Sequence, residues 1–547
     1  MAAGGDRASR GASANAQGGW TPARSVAGNR NPWLIVGVIS IATFMVVLDT
    51  SIANVALAHI AGSLSVSYDE STWVVTSFLI ANAVIIPISG WLADVIGRKR
   101  FYMVSVALFT AASFLCGLSP SLGFLLVARV LQGIGGGGLT PVEQSMLVDT
   151  FPPQKRGLAF AAYGVVVIVG PILGPSIGGW ITDNASWHWV FFINVPVGIL
   201  SLVLTSMLVD EPKAIRERRH EILRGGLRVD YTGFALEALF LGCLEVTLDR
   251  GQRYEWFANT TILVCAIIAA LALLTLIPWE LTRKDPIVRI SMFGHRNFGI
   301  SSLLMLVMGV VIFSSTQFIP QLLQEVMGYT ATDAGLALTL GGVATFFVMP
   351  LSGYFASRVD ARILIGGAFL LQVFALWHMS QLNAQMSFWD AAIARLYQSI
   401  GLPFLFVPIS NMAYVGLRPE DSNQASALLN MARNLGGTIG IAAVQTMLAR
   451  REQVHQEQYV ETLNPLNPNY RHAIRHMTNV LVAHGHSQFD AARQAAALLY
   501  RQLLQQAAML SYIDTFHVLM IVVLFATPLV LLLRNPGRDA RTAGAAL

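Results

Sequence analysis

The sequence predicts an all-α integral membrane protein of fourteen transmembrane helices, built as two related bundles of six with an extra pair between them. Three observations predict it. Of 547 residues, 54% are hydrophobic and only 12% are charged, against about 25% charge in an ordinary soluble domain. Apolar runs of roughly 20 residues, each long enough to cross a ~30 Å hydrocarbon layer, recur from Trp33 onward. Stretches of the first half also return, eroded, in the second. Gly90-Trp91-Leu92-Ala93-Asp94-Val95-Ile96-Gly97-Arg98-Lys99-Arg100 comes back as Gly353-Tyr354-Phe355-Ala356-Ser357-Arg358-Val359-Asp360-Ala361-Arg362. Ala128-Arg129-Val130-Leu131-Gln132-Gly133-Ile134-Gly135 comes back as Ala394-Arg395-Leu396-Tyr397-Gln398-Ser399-Ile400-Gly401, displaced by 266 positions (128 to 394). Internal duplication in a membrane chain points to a solute transporter that rocks about a central site.

The elements follow in order. Residues 1–30 are rich in Gly, Ala, Ser and Arg and lack the apolar core of a signal peptide, so they read as a disordered cytoplasmic tail. Residues 31–209 form the first six-helix bundle, with spans near 33–57, 72–94, 101–119, 122–148, 157–182 and 189–209. Residues 210–296 form a cytoplasmic linker carrying the inserted pair, near 231–249 and 259–280. Residues 297–448 hold the first five spans of the second bundle, near 298–323, 332–356, 363–381, 389–416 and 422–448. A polar stretch, 449–511, reads as a periplasmic loop with an amphipathic helix; the last span is 512–533, and 534–547 is a cytoplasmic tail.

Charge tests this order. With both termini cytoplasmic, the inside loops hold Arg98, Lys99, Arg100, Lys155, Arg156, the basic residues between Lys213 and Arg228, Arg283, Lys284, Arg289, Arg296, Arg358, Arg362 and Arg418. The short outside loops hold only Arg250 and Arg253, which fits the positive-inside rule. The net charge of +5 therefore reflects topology rather than nucleic-acid binding. The three cysteines all lie in apolar runs, so no disulfide framework is visible. The spacing of His472, His476, His484 and His486 is too loose to argue for a metal. No nucleophile constellation, nucleotide loop or cofactor motif stands out, so an enzyme is not expected. Gly133 to Gly138 falls inside a span, where it serves helix packing rather than phosphate binding.

The motif Gly90–Arg100 resembles the cytoplasmic signature of the major facilitator superfamily. Leu48-Asp49-Thr50-Ser51-Ile52-Ala53-Asn54-Val55-Ala56-Leu57, Gly170-Pro171-Ile172-Leu173-Gly174-Pro175 and Trp187-His188-Trp189-Val190-Phe191-Phe192-Ile193-Asn194-Val195-Pro196 resemble its 14-span drug:proton antiporter branch. The long outer loop ending Tyr512-Ile513-Asp514-Thr515-Phe516 is similar to the EmrB subfamily. The resemblance implies a major facilitator fold in the bacterial inner membrane and proton-coupled export of hydrophobic or amphipathic drugs. It further implies a periplasmic adaptor (membrane fusion) protein and an outer-membrane channel as partners in a tripartite pump. An alternative is a dedicated exporter of one fatty acid, siderophore or antibiotic. His188 in place of the usual Arg, Phe78 in place of a common Tyr and Glu143 where a neutral residue is common bear on the substrate, not on the class.

Candidate functional residues are those that cost most to place in a membrane. Asp49 lies about 16 residues into the first span, ~24 Å along it, and an ionisable group there marks function by default. A carboxyl in such surroundings suits a reversible proton carrier; a structural helix–helix hydrogen bond is the other reading. Arg129 lies at a similar depth on the fourth span, which the resemblance places beside the first, and would modulate that acid, since it does not deprotonate, or form a static ion pair with it. Glu143, after Pro141, is a second candidate for proton coupling; Glu237 and Glu245 read as structural. Gly90, Asp94, Gly97 and Arg98 form the gating motif, in which the glycines allow a tight turn and close approach and Asp94 accepts bonds from helix N-termini or Arg. Gly170, Pro171, Gly174 and Pro175 form the antiporter motif, a flat face with two missing backbone donors. Asn54, Phe78, Gln132, Gln317, Gln321, Arg433 and Asn434 are expected along the substrate cavity.

Overall fold

The structure, a computed structural model, describes residues 30–534 apart from 212–215, 218, 220–223, 225–229, 284–285, 462 and 465. The expected terminal tails therefore lie almost wholly outside the described residues, which are helical wherever their structure is regular.

The first bundle comprises α1 (Pro32–Ser63), α2 (Trp73–Ile96), α3 (Arg98–Gly117), α4 (Leu122–Thr150), α5 (Pro153–Asn184) and α6 (Trp189–Leu208). The inserted pair is α7 (Tyr231–Arg250) and α8 (Thr260–Thr282). The second bundle comprises α9 (Arg296–Gln321), α10 (Ala331–Ala356), α11 (Ala361–Ser380), α12 (Phe388–Ala413) and α13 (Ser422–Val460). After a separate helix, α14 (Pro468–Ala483), it closes with α15 (Gln488–Ala526). Side-chain caps set several starts: Asn31 accepts from Trp33, Ser121 from Phe124 and Ser487 from Asp490, each satisfying a backbone donor that a helix start leaves open.

Twelve of the described helices are long and apolar enough to cross a membrane. α5 and α13 are not among the twelve, yet they occupy repeat-related places: α5 packs along α1 as α13 packs along α9. α13 carries a polar face, with Ser422, Asn423, Gln424, Ser426 and Asn430 all buried against the other bundle. The pairing of α2 with α4 and α3 with α4 recurs as α10 with α12 and α11 with α12. Between bundles, α5 meets α10 and α2 meets α13. α7 lies against both α2 and α13, so the inserted pair sits beside one seam.

Two boundaries differ from those read in the sequence. α4 breaks at Gly138, between Gly137 and Leu139. A side chain at Gly138 would strike the ring of Phe101 at 2.5 Å, so the glycine run lets α3 approach there. The stretch over 449–511, expected as a loop with an amphipathic helix, holds more helix than that: α13 runs on to Val460, α14 stands between, and α15 begins at Gln488. From Ile441 to Val460, and again from Gln488 to Ala526, the sequence has neither glycine nor proline, so nothing stops these helices where the apolar character ends.

Candidate functional site

Asp49 of α1 is completely buried in the first bundle and is bonded to side chains of α4 and α6. Its Oδ2 accepts from Arg129 Nη1 of α4 at 2.7 Å. Its Oδ1 accepts from Gln132 Nε2 at 2.9 Å and from Asn194 Nδ2 of α6 at 2.7 Å. Arg129 also donates to Gln132 Oε1 at 2.6 Å and, through Nε, to the Val74 carbonyl of α2 at 2.9 Å. Ser113 of α3 accepts from Gln132 at 2.6 Å. The guanidinium lies over the Phe78 ring, 4.4 Å from its centroid, where the negative ring face attracts it. Polar and charged side chains in membrane helices are least costly when they face the bundle interior, and Asp49, Arg129 and Gln132 all point inward. Once inside, a charge is tolerated only when paired and hydrogen-bonded. Phe78 and Gln132 thus lie inside this bundle, at 2% and 0% exposure.

A second carboxyl lies nearer the seam. Glu143 is fully buried; its Oε2 accepts from Thr43 of α1 at 2.5 Å, and Thr43 in turn lies 3.1 Å from the Tyr163 hydroxyl of α5. Arg433 of α13 is half-buried; both guanidinium bonds, to Asn434 Oδ1 beside it, are long at 3.4 Å. Tyr163 stands within electrostatic range of both Glu143 and Arg433. Asn54 is exposed and donates to the Thr50 carbonyl one turn back; Gln317 is exposed, and Gln321 donates to Glu325.

The glycine motif forms one end of the molecule. Gly90 touches α13 so closely that a Cβ would stand 2.9 Å from the Gln424 Cα. Gly97 has φ +95°, a conformation that favours glycine. Asp94 accepts from Asn423 at the start of α13 at 2.5 Å. Arg98 pairs with Asp149 at the end of α4 and donates to Ser422. Ser145 donates to Asn423 at 2.5 Å, Ser426 to the Pro141 carbonyl at 2.6 Å and Asn430 to Gln144 at 2.7 Å. The eroded copy does the same across the other seam: a Cβ on Gly353 would meet Ala161 at 2.8 Å and the Gly157 carbonyl at 2.9 Å. The bundles are locked together at this end.

On α5, side chains at Gly170 and Gly174 would meet Val47 at 2.8 Å and Ser51 at 2.3 Å, so these glycines set the contact with α1. The side chains of Pro171 and Pro175 lie outside the described residues, while the helix backbone runs through both. Asn194, Ser113, Thr43, Tyr163, Asp149 and Asn423 did not stand out as site residues in the sequence. Only Asn194 had a signal, its place in the Trp187–Pro196 motif.

Two pseudo-symmetric helical bundles that meet along two seams, with an ion pair sealed inside one of them, define a multi-pass membrane transporter fold. The Major Facilitator Superfamily model matches residues 39–441, and the chain belongs to that family. It is 38% identical to the multidrug export protein EmrB of Haemophilus influenzae, over 90% of this chain and 96% of that one. It is 34% identical to the fatty acid resistance protein FarB of Neisseria gonorrhoeae, over 91% and 95%. Among solved structures, the proton:xylose symporter XylE superposes with a TM-score of 0.57 at 14% identity, covering 90% of this chain and 94% of that one, a likeness of fold.

Proposed function

We propose that this protein is a proton-coupled antiporter that exports hydrophobic or amphipathic drugs across the bacterial inner membrane. The observation that carries the reading is Asp49, a carboxyl buried out of water and bonded to Arg129, Gln132 and Asn194. Protonating it would release Arg129 and loosen α1, α4 and α6 from one another. That gives a proton a differential hold on two arrangements of the bundle, as coupling requires. Glu143, joined to α1 and α5 through Thr43 and Tyr163, is the second carboxyl in the coupling path. Arg433 and Asn434, with Asn54, Gln317 and Gln321, line the route of the cargo.

In this reading the glycine motif end is cytoplasmic, both termini lie inside, and the contacts of Gly90, Asp94, Gly97 and Arg98 are the inner gate in its closed state. The flat face of Gly170, Pro171, Gly174 and Pro175 on α5 lets that helix slide on α1 as the gate works. The outer helical ends of α13 and α15, with α14, are the surface for a periplasmic adaptor (membrane fusion) protein, which would join an outer-membrane channel. The likeness to an EmrB multidrug export protein supports the drug class. The likeness to FarB favours a second reading, a dedicated exporter of a fatty acid or another single compound.

Dye export from proteoliposomes with an imposed pH gradient tests coupling. Wild type should drive uphill export, and Asp49→Asn should lose it by tenfold or more while still binding dye. Uphill export at the wild-type rate by Asp49→Asn would overturn the mechanism. A panel of drugs and fatty acids in the same vesicles separates the two cargo readings.

A further inference from the structure

The duplication carries the Asp49 site into the second bundle with one change. Arg129 and Gln132 of α4 correspond to Arg395 and Gln398 of α12, and the same displacement takes Asp49 of α1 to Ser315 of α9. The side chains keep their arrangement. Arg395 Nη1 donates to Gln398 Oε1, as Arg129 Nη1 donates to Gln132 Oε1, and Arg395 Nη1 reaches Ser315 Oγ at 3.0 Å. Arg395 Nη2 donates to Thr316 Oγ1 at 3.0 Å. The carboxylate is what differs. Arg395 is 8% exposed, and no acidic side chain among the described residues pairs with it. Two donors are also left over: Arg395 Nε and Gln398 Nε2, the latter on a fully buried amide, have no hydrogen-bond partner among the described residues. In the first bundle, Gln132 Nε2 spends its hydrogen bonds on Asp49 and Ser113.

A guanidinium taken out of water among neutral oxygens is costly unless a counter-charge meets it. Arg is also the side chain best shaped to receive one, presenting a fork of donors to a carboxylate. We propose that the second bundle holds a binding site for a single anionic group between α9 and α12. Arg395 supplies the charge, and Gln398 and Thr316 supply further hydrogen bonds. The group stands in for the carboxyl that Asp49 provides in the first bundle. Its source is either the carboxylate of a cargo molecule, which rests on the export reading above, or a free halide, which does not.

The test uses the purified full chain and its thermal unfolding midpoint, titrated with sodium chloride, with sodium hexanoate and with the neutral hexanamide. Wild type should show a saturable upward shift with chloride or hexanoate and none with hexanamide. Ser315→Asp, which restores the counter-charge from within, should unfold at a higher temperature without added anion and lose the response. Arg395→Gln should lose the response as well; should it fail to fold, Ser315→Asp still decides the matter. A response to chloride assigns the site to a free ion, and a response to hexanoate alone assigns it to cargo. No saturable response in wild type, or a full response in Ser315→Asp, would overturn the proposal. Proton-driven export of a neutral dye by Ser315→Asp reads the coupling mechanism separately, so the two can fail independently.

Discussion

At the scale of single residues, the Asp49 network decides what a substitution does. Asp49→Asn removes one half of a buried pair and leaves Arg129 without its counter-charge, which costs about 3–5 kcal/mol in such settings. The double variant Asp49→Asn/Arg129→Gln removes both charges. It should recover most of that loss in thermal unfolding while staying inactive in pH-driven export. Arg129→Lys should not rescue function, because a point charge cannot serve Asp49, Gln132 and the Val74 carbonyl together or lie flat on Phe78. The sequence made the pair legible: charges are rare in apolar runs, and the rise of a helix puts Asp49 and Arg129 at equal depth. Asn194 and Ser113 were not legible in this way. A small polar side chain in a membrane helix has no signature until the helices around it are packed. Phe78 shows the same limit: its aromatic character suits a cavity wall as well as it suits the cation it covers.

At the scale of elements, the seams are set by glycine. Gly90→Val would push branched carbons into the backbone of α13 near Asn423 and Gln424, and cores resist such overpacking by about 1–3 kcal/mol or more. The variant should insert and fold but disfavour closure at the motif end. The check is labelling of a cysteine placed at Ser145, which should become reactive in Gly90→Val and stay protected otherwise. Element positions were largely readable from apolar runs and the repeat. Helix ends were less so, because hydropathy reports where lipid stops, not where hydrogen bonding stops. α13 and α15 continue past the apolar stretch on helix-forming residues alone. The break of α4 at Gly138 was hidden in a run of glycines whose consequence depends on Phe101 lying opposite.

At the scale of the whole molecule, two copies of one plan have diverged in charge. The first bundle keeps an internal carboxylate and the second keeps only the cation. Sequence spacing made the duplication visible, but which buried donors lack partners emerges only when the helices are placed. The polar helical stretch around α14 offers a separate test. Replacing 463–487, which removes α14 and its connections, by a short Gly-Ser linker should abolish resistance in cells that depend on an adaptor. Dye binding by the purified protein should survive; persistence of resistance would exclude docking there. α15 adds a mechanical point. It is 39 residues long without a glycine or proline, about 58 Å of continuous rod. It is pinned part-way by Asp514, which takes Arg451 at 2.6 Å and His455 at 2.8 Å from α13. A tilt of about five degrees at its membrane-embedded foot would sweep the far tip through roughly 5 Å, by the same helix length. If the second bundle rocks as proposed, each stroke would be carried along α15 to its far tip, as a crank turns a distant arm.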